Sequence, residues 1–221
     1  MEINHRRKTI NKTAHYYTLG KLSSKTKYFW MVFHGYAQLA KSLLESFDQL
    51  NQDEHFVVAP EGFSRFYRKG FEGDVVASWM TKEDRLDEIA DYSKFIHSVY
   101  QDYTAQLPDQ AKIIVFGYSQ GGSTLYRWIT SRYPYYDVLV NWAGWVPEDI
   151  DYSNCLDYLN AKKAYYIYGL EDPFLPQDRI RALSNFSKEQ QLDITFFNFN
   201  GQHVIDKAFL KRFVKKCIAG G

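Results

Sequence analysis

Cysteine is scarce in this chain of 221 residues, with only Cys155 and Cys217. They form no C-x-x-C pair and no ligand cluster forms around them, which excludes a disulfide framework and a metal site of the usual kind. Free thiols, and no metal or organic cofactor, are the expectation. Net charge is equally scarce: 27 basic against 26 acidic side chains leave +1. Acids and bases are interspersed, so no broad field draws nucleic acid or an anionic membrane, and the short basic start from His5 to Lys8 reads as a solvated terminus. No apolar run approaches the roughly 20 residues of a membrane span, and the N-terminus has no signal-peptide h-region. The expected setting is therefore cytoplasmic. Repeats, low-complexity segments and Pro/Gly/Ser-rich linkers are also missing, so residues 1–221 read as one domain.

What the chain does have is apolar material for a core. Hydrophobic residues make up 45%, charged residues 24%, and aromatic residues an unusual 18%, a surplus that suits a bulky core or an apolar pocket. Apolar or β-branched runs bounded by turn residues predict strands at 28–33, 56–59, 113–116, 138–140, 164–168 and 194–199. Helical spacing predicts helices at 39–50, 84–103, 120–132, 176–186 and 204–217. The second of these carries Leu86, Ile89, Ile96, Val99 and Tyr103 on one face. Strands separated by helices need crossover connections, which implies a mostly parallel sheet of about seven strands covered on both faces. Residues 15–19 are placed antiparallel at its edge.

In such a sheet the loops leaving the C-terminal strand ends share one rim. Five segments fall there: FHGY (33–36), PEGFSRFY (60–67), GYSQGG (117–122), YGLEDPFLP (168–176) and NGQHV (200–204). The third places Ser119 between two glycines on a strand-to-helix turn. A serine hydroxyl is a weak nucleophile unless it is exposed, aimed and set beside a base. The turn aims it, flanking Gly117 and Gly121 allow the crowded bend, and the amide of Gln120 at the helix start faces a developing oxyanion. Of six histidines, His5 and His15 lie near a terminal or edge segment, His55 is at the wrong end of its strand, and His97 is embedded in a helix. His34, before Gly35 and Tyr36, suits the shaping of an oxyanion loop. His203, after the last strand, is the candidate base. Asp172 is the carboxylate expected to orient it, with Glu171 and Asp178 as rivals. The chain order is then Ser, Asp, His, the order of α/β-hydrolases.

Taken in order, FHGY, GYSQGG, NWAGWVP, YGLEDPFLP and GQH resemble the motifs of the phospholipase/carboxylesterase family of α/β-hydrolases, which includes the acyl-protein thioesterases. PEGFSRFY and ASWMTKEDRLDEIADY resemble a bacterial branch of predicted esterases. The resemblance runs from Phe33 to about His203. It implies an α/β-hydrolase fold, Ser119 as nucleophile with Asp172 and His203 as partners, and backbone amides of Tyr36 and Gln120 as the oxyanion hole. The chain departs from the family in a first loop poorer in glycine and in the bulk of Tyr36, so acyl specificity is not carried over. Trp79, Trp145, Phe66 and Phe174, with Tyr36, sit in rim segments and are placed as pocket walls for a small acyl or aryl ester. Thioesterase or lysophospholipase activity is the nearest alternative, and a non-catalytic small-ligand binding protein on the same fold is the alternative of another class. No feature demands a homodimer, which is left open.

Overall fold

In the computed structural model, residues 1–220 are described. The chain opens with β1 (Tyr16–Leu19) and β2 (Tyr28–Phe33), then α1 (Ala40–Leu44), which tightens into a 3₁₀ turn at Glu45–Phe47. β3 (His55–Pro60) leads into a ribbon of β4 (Ser64–Lys69) and β5 (Glu72–Ser78) and then the long α2 (Arg85–Thr104). β6 (Lys112–Tyr118), α3 (Gln120–Arg132), β7 (Val138–Trp142), the short α4 (Leu156–Asn160) and β8 (Lys163–Gly169) follow. α5 (Gln177–Glu189), β9 (Ile194–Phe199) and α6 (Lys207–Phe213), which runs on into a π-helical turn Val214–Ala219, complete the chain.

Seven strands form one sheet in the order β1-β3-β2-β6-β7-β8-β9. All neighbours are parallel except β1, which pairs antiparallel with β3, Tyr16 opposite Pro60 and Leu19 opposite Val57. The expected edge strand is therefore present. Alternation along β2 shows why both faces must be covered. Phe29, Met31 and Phe33 point into one core with Tyr92 and Ile96 of α2 and Leu125 and Trp128 of α3. Trp30 and Val32 point into the other, with Leu43, Phe47, Leu210 and Phe213. The aromatic surplus is mostly spent here: Trp30, Trp79, Trp128 and Trp142 are all buried. His55, at the start of β3, is buried too. It accepts a hydrogen bond from Trp30 Nε1 at 3.0 Å and stacks on Tyr28, so it is a packing residue, as its place on the wrong rim suggests.

Three expectations need correction. The ribbon β4–β5 stands where only a rim segment was expected. It pairs with itself rather than with the main sheet, and its outward residues are largely polar, so no buried alternation marks it. The last helix begins at Lys207 and not at Val204, because Asp206 caps it by accepting the Phe209 N–H at 2.6 Å. Leu86 does not join the buried face of α2. The first turn of that helix extends past the packed layer, leaving Leu86 72% exposed, while Ile96 and Val99 are buried with Tyr92 and Tyr100. Replacing Leu86 by Lys should accordingly leave stability within about 0.5 kcal/mol. Ile96→Ala should cost roughly 2–4 kcal/mol, read as the shift in a urea unfolding midpoint.

Candidate active site

β6 lies at the middle of the sheet and ends at Tyr118, where the chain must turn at once into α3. It does so through Ser119, whose backbone sits at φ 54°, ψ −119°. This is the positive-φ region that L residues avoid, and it persists only where the surroundings over-determine it. Two contacts supply that constraint. A Cβ on Gly117 would come within 2.4 Å of the Gly121 carbonyl oxygen, and one on Gly121 within 2.1 Å of that of Phe33, so strand, turn and helix are pressed together where only glycine fits. The Ser119 N–H donates to Trp142 O at 2.9 Å and the Gly122 N–H to Ser119 O at 2.9 Å.

The loops after β8 and β9 meet this turn. Their backbones are joined by Leu170 N–H to Phe199 O and Glu171 N–H to Gly201 O, both 2.9 Å, and Gly169 packs so closely on Gly201 and Gln202 that a Cβ would clash. The His203 loop is also tied to the centre of the sheet. Tyr118 Oη donates to His203 O at 2.7 Å, and Trp142 Nε1 to Val204 O at 2.9 Å. These ties bring three sequence-distant side chains into line. His203 Nδ1–H donates to Asp172 Oδ2 at 2.6 Å, and His203 Nε2 accepts the Ser119 hydroxyl at 2.9 Å. The tautomer follows from the chemistry, since an ionised carboxylate only accepts. The Asp172 carboxylate is fully buried, and its second oxygen accepts the Phe174 N–H at 2.8 Å. Of its rivals, Glu171 and Asp178 are both exposed and neither contacts His203. An ordered Ser-His-Asp relay can deprotonate the hydroxyl as it attacks, while the carboxylate stabilises the imidazolium that forms.

The loop after β2 forms the other wall. Gly35 lies against Ser119, with a Cβ there 3.2 Å from the serine Cβ, and the Gly35 N–H is held by Gln38 Oε1 at 2.9 Å. Neither Tyr36 N–H nor Gln120 N–H finds an acceptor among the described residues. His34 is fully buried, stacked on Trp79 with ring centroids 4.8 Å apart. Its Nδ1–H donates to Gly35 O at 2.8 Å and its Nε2 accepts the Gly62 N–H at 2.9 Å, which requires the neutral ring. Burial drives its pKa down to about 4, against smaller upward pulls from the Gly35 bond and Glu61. Gln120 is anchored by its side chain: Oε1 accepts from Trp79 N–H and Ser78 Oγ, and Nε2 donates to Met80 O.

The expected pocket walls divide. Trp79 is not on a wall: it is 1% exposed, its indole donates to His34 O at 2.9 Å, and it backs the loop after β2 from within the core. Phe66 is half-buried on the ribbon beside Tyr36, ring centroids 5.5 Å apart. Phe174 is exposed with its ring edge toward His203 at 5.0 Å, and Trp145 is half-buried. Residue patterns gave no hint of Glu61, whose buried carboxylate accepts the Ala40 N–H at 3.0 Å and the Arg65 guanidinium, holding the far end of the loop after β2. A buried acid is visible only once its partners are assembled around it. A cavity of about 610 Å³ opens at the opposite rim, among Lys25, Lys27, Tyr28, Glu54 and Lys112, far from this chemistry. Among the described residues no three His, Cys, Asp or Glu side chains converge to hold a metal ion, and no helix is long and apolar enough to cross a membrane.

Two buried histidines make stability depend on pH. His34 and His55 are each held near pKa 4 by burial, against an ordinary 6.5. Between those values the unfolded chain takes up protons that the folded one refuses. Their contribution is therefore intact above pH 6.5 and is lost as pH falls toward 4, on the order of 2–3 kcal/mol for each. Thermal melts from pH 7 to 4.5 should show a steep fall in Tm, made shallower by His55→Gln. A flat profile contradicts the neutral, buried state of both rings.

The sequence matches the phospholipase/carboxylesterase family over residues 24–219. No protein of curated function matches it. Among solved structures, acyl-protein thioesterase 2 of Zea mays is similar at 15% identity and a TM-score of 0.70, covering 94% of this chain and 99% of that one. A phospholipase/carboxylesterase from Dyadobacter fermentans is similar at 17% identity and a TM-score of 0.67, covering 96% and 99%. At such identities the likeness carries the fold, which is that of the α/β-hydrolases. With the family match spanning nearly the whole sequence, the chain belongs to the phospholipase/carboxylesterase family of hydrolases.

Proposed function

We propose that this hydrolase is a serine carboxylesterase, with residues 1–221 as one domain, that cleaves small acyl or aryl carboxylic esters through an acyl-enzyme. The observation that carries the reading is the unbroken line from Ser119 Oγ through the His203 ring to Asp172, at 2.9 and 2.6 Å. His203 Nε2 takes the Ser119 proton as Oγ bonds to the ester carbonyl carbon, and the carbonyl π electrons move to oxygen. The amides of Tyr36 and Gln120, both lacking an internal acceptor, donate to that oxyanion, a contribution of about 2.7–4 kcal/mol for each donor. The intermediate collapses, the C–O bond to the alcohol breaks, and His203 returns the proton to the leaving oxygen. Water then attacks the acyl carbon by the same route and frees the carboxylic acid. Asp172 stays ionised throughout. The two unpaired thiols, Cys155 and Cys217, support a reducing, cytoplasmic setting.

Ser119→Ala should abolish labelling by a fluorophosphonate probe and lower ester turnover by about ten-thousandfold or more with Tm unchanged. Label persisting on that variant overturns the assignment. Across nitrophenyl esters of increasing chain length, kcat/KM should decline beyond short acyl groups, with Trp145, Phe66 and Phe174 as the remaining candidate walls. Equal activity across the series contradicts a small-acyl site.

A further inference from the structure

Arg179, in the first turn of α5, lies against both aromatic residues that flank the site. Its guanidinium carbon is 4.8 Å from the centroid of the Trp145 ring, and its Nη1 donates to the Phe174 carbonyl oxygen at 3.1 Å. Both neighbours belong to segments that border the Ser119–His203 pair. The Phe174 ring is 5.0 Å from that of His203, and Gly144, which precedes Trp145, is so close to Ser119 that a Cβ on it would come within 2.7 Å of the serine carbonyl oxygen. Arg179 is exposed, in contact with Trp145 on one side and Phe174 on the other.

Its charge is not matched. Arg7, Arg65, Arg85 and Arg127 each pair with a carboxylate, whereas Arg179, like Arg6, Arg68, Arg132, Arg181 and Arg212, pairs with none among the described residues, neither its chain neighbour Asp178 nor Glu171 on the Asp172 loop. The contact with Phe174 uses one donor. The edge formed by Nε and Nη2 has no acceptor within the described residues. That edge has the two parallel N–H bonds that a carboxylate accepts side-on, and the guanidinium carbon lies over the indole at 4.8 Å.

We propose that Arg179 makes this enzyme selective for esters that carry a carboxylate, which it holds through its Nε–Nη2 edge while Ser119 attacks the ester carbonyl. The inference rests on the hydrolase reading of the site and names the class of substrate. An arginine that only fixed the Phe174 loop would serve neutral and anionic substrates alike, and selectivity separates the two roles.

The test compares the wild type with Arg179→Gln and Arg179→Lys on two matched pairs. Monoethyl adipate against diethyl adipate places the carboxylate in the acyl part; 4-acetoxybenzoate against its methyl ester places it in the alcohol part. In at least one pair, Arg179→Gln should lower kcat/KM for the anionic member about tenfold to hundredfold and change the neutral member less than twofold, with partial recovery in Arg179→Lys. Equal losses on both members, or no loss on either anionic ester, overturn the proposal while leaving the hydrolase reading intact. That reading is tested separately by fluorophosphonate labelling of Ser119. Calorimetric titration with adipate reads the same contact without turnover: binding should weaken at least tenfold in Arg179→Gln, and absence of binding to the wild type overturns the proposal. Should Arg179→Gln fail to fold, Arg179→Lys, which keeps the charge but loses the planar edge, gives the same comparison.

Discussion

The site depends on one backbone position. Ser119 is held at φ 54° in a region that costs of order 1–3 kcal/mol, and it stays there because three pieces of chain leave it nowhere else to go. Gly117 and Gly121 let β6, the turn and α3 close to distances that any side chain would forbid, against the end of β2. The first constraint is thus steric and lies in the middle of the sheet, where β2 and β7 pair with β6 on either side. A turn at a sheet edge would lack this double flank. The bend is also what separates the serine hydroxyl from the buried strand and turns the Gln120 amide outward at the start of the helix.

The second requirement, bringing residues 172 and 203 to that hydroxyl, follows from the direction of the strands. Parallel strands end on one rim, so the loops after β6, β8 and β9 are neighbours there whatever their separation in the chain. Neighbourhood alone leaves loops several ångströms of freedom. Here the Asp172 and His203 loops share backbone hydrogen bonds, and Tyr118, the residue before Ser119, donates its hydroxyl to the His203 carbonyl. The position of the imidazole is therefore referred to the same strand that sets the serine.

This division explains what the amino-acid pattern could reveal. Strands buried on both faces read as near-continuous apolar runs, and 194–199 and 28–33 were legible to the residue, as was the helix at 120–132. The meeting of Ser119, Asp172 and His203 was legible because the chemistry sought narrows the choice among few residues on the correct rim. The ribbon β4–β5 was not, since it buries little and pairs only with itself. Trp79 was misplaced for a related reason: position in a rim segment says nothing of which way a side chain turns, and its indole turns inward to stack on His34. Glu61 and Arg179 carry no local signature at all. One is recognisable only by the backbone amide and guanidinium that converge on it, the other only by the two aromatics between which it lies.

Two histidines within this small region face opposite demands, and their surroundings meet them separately. His34 must stay neutral, because its Nε2 accepts from Gly62 and a proton there would turn acceptor into donor and release the loop after β2 from the segment after β3. It is accordingly fully buried, with no carboxylate bonded to the ring, and charging it is unfavourable until the solution is strongly acidic. The proposed base, His203, has to accept a proton with each bond it helps to make and break. Its ring is only partly shielded, and it donates to a fully buried carboxylate at 2.6 Å, a partner that gains from the cation. One imidazole is therefore a fixed strut and the other the carrier of the proposed mechanism, and the distinction lies in the placement of Asp172, not in the rings. The same acid that orients His203 would, if bonded to His34, undo the loop after β2.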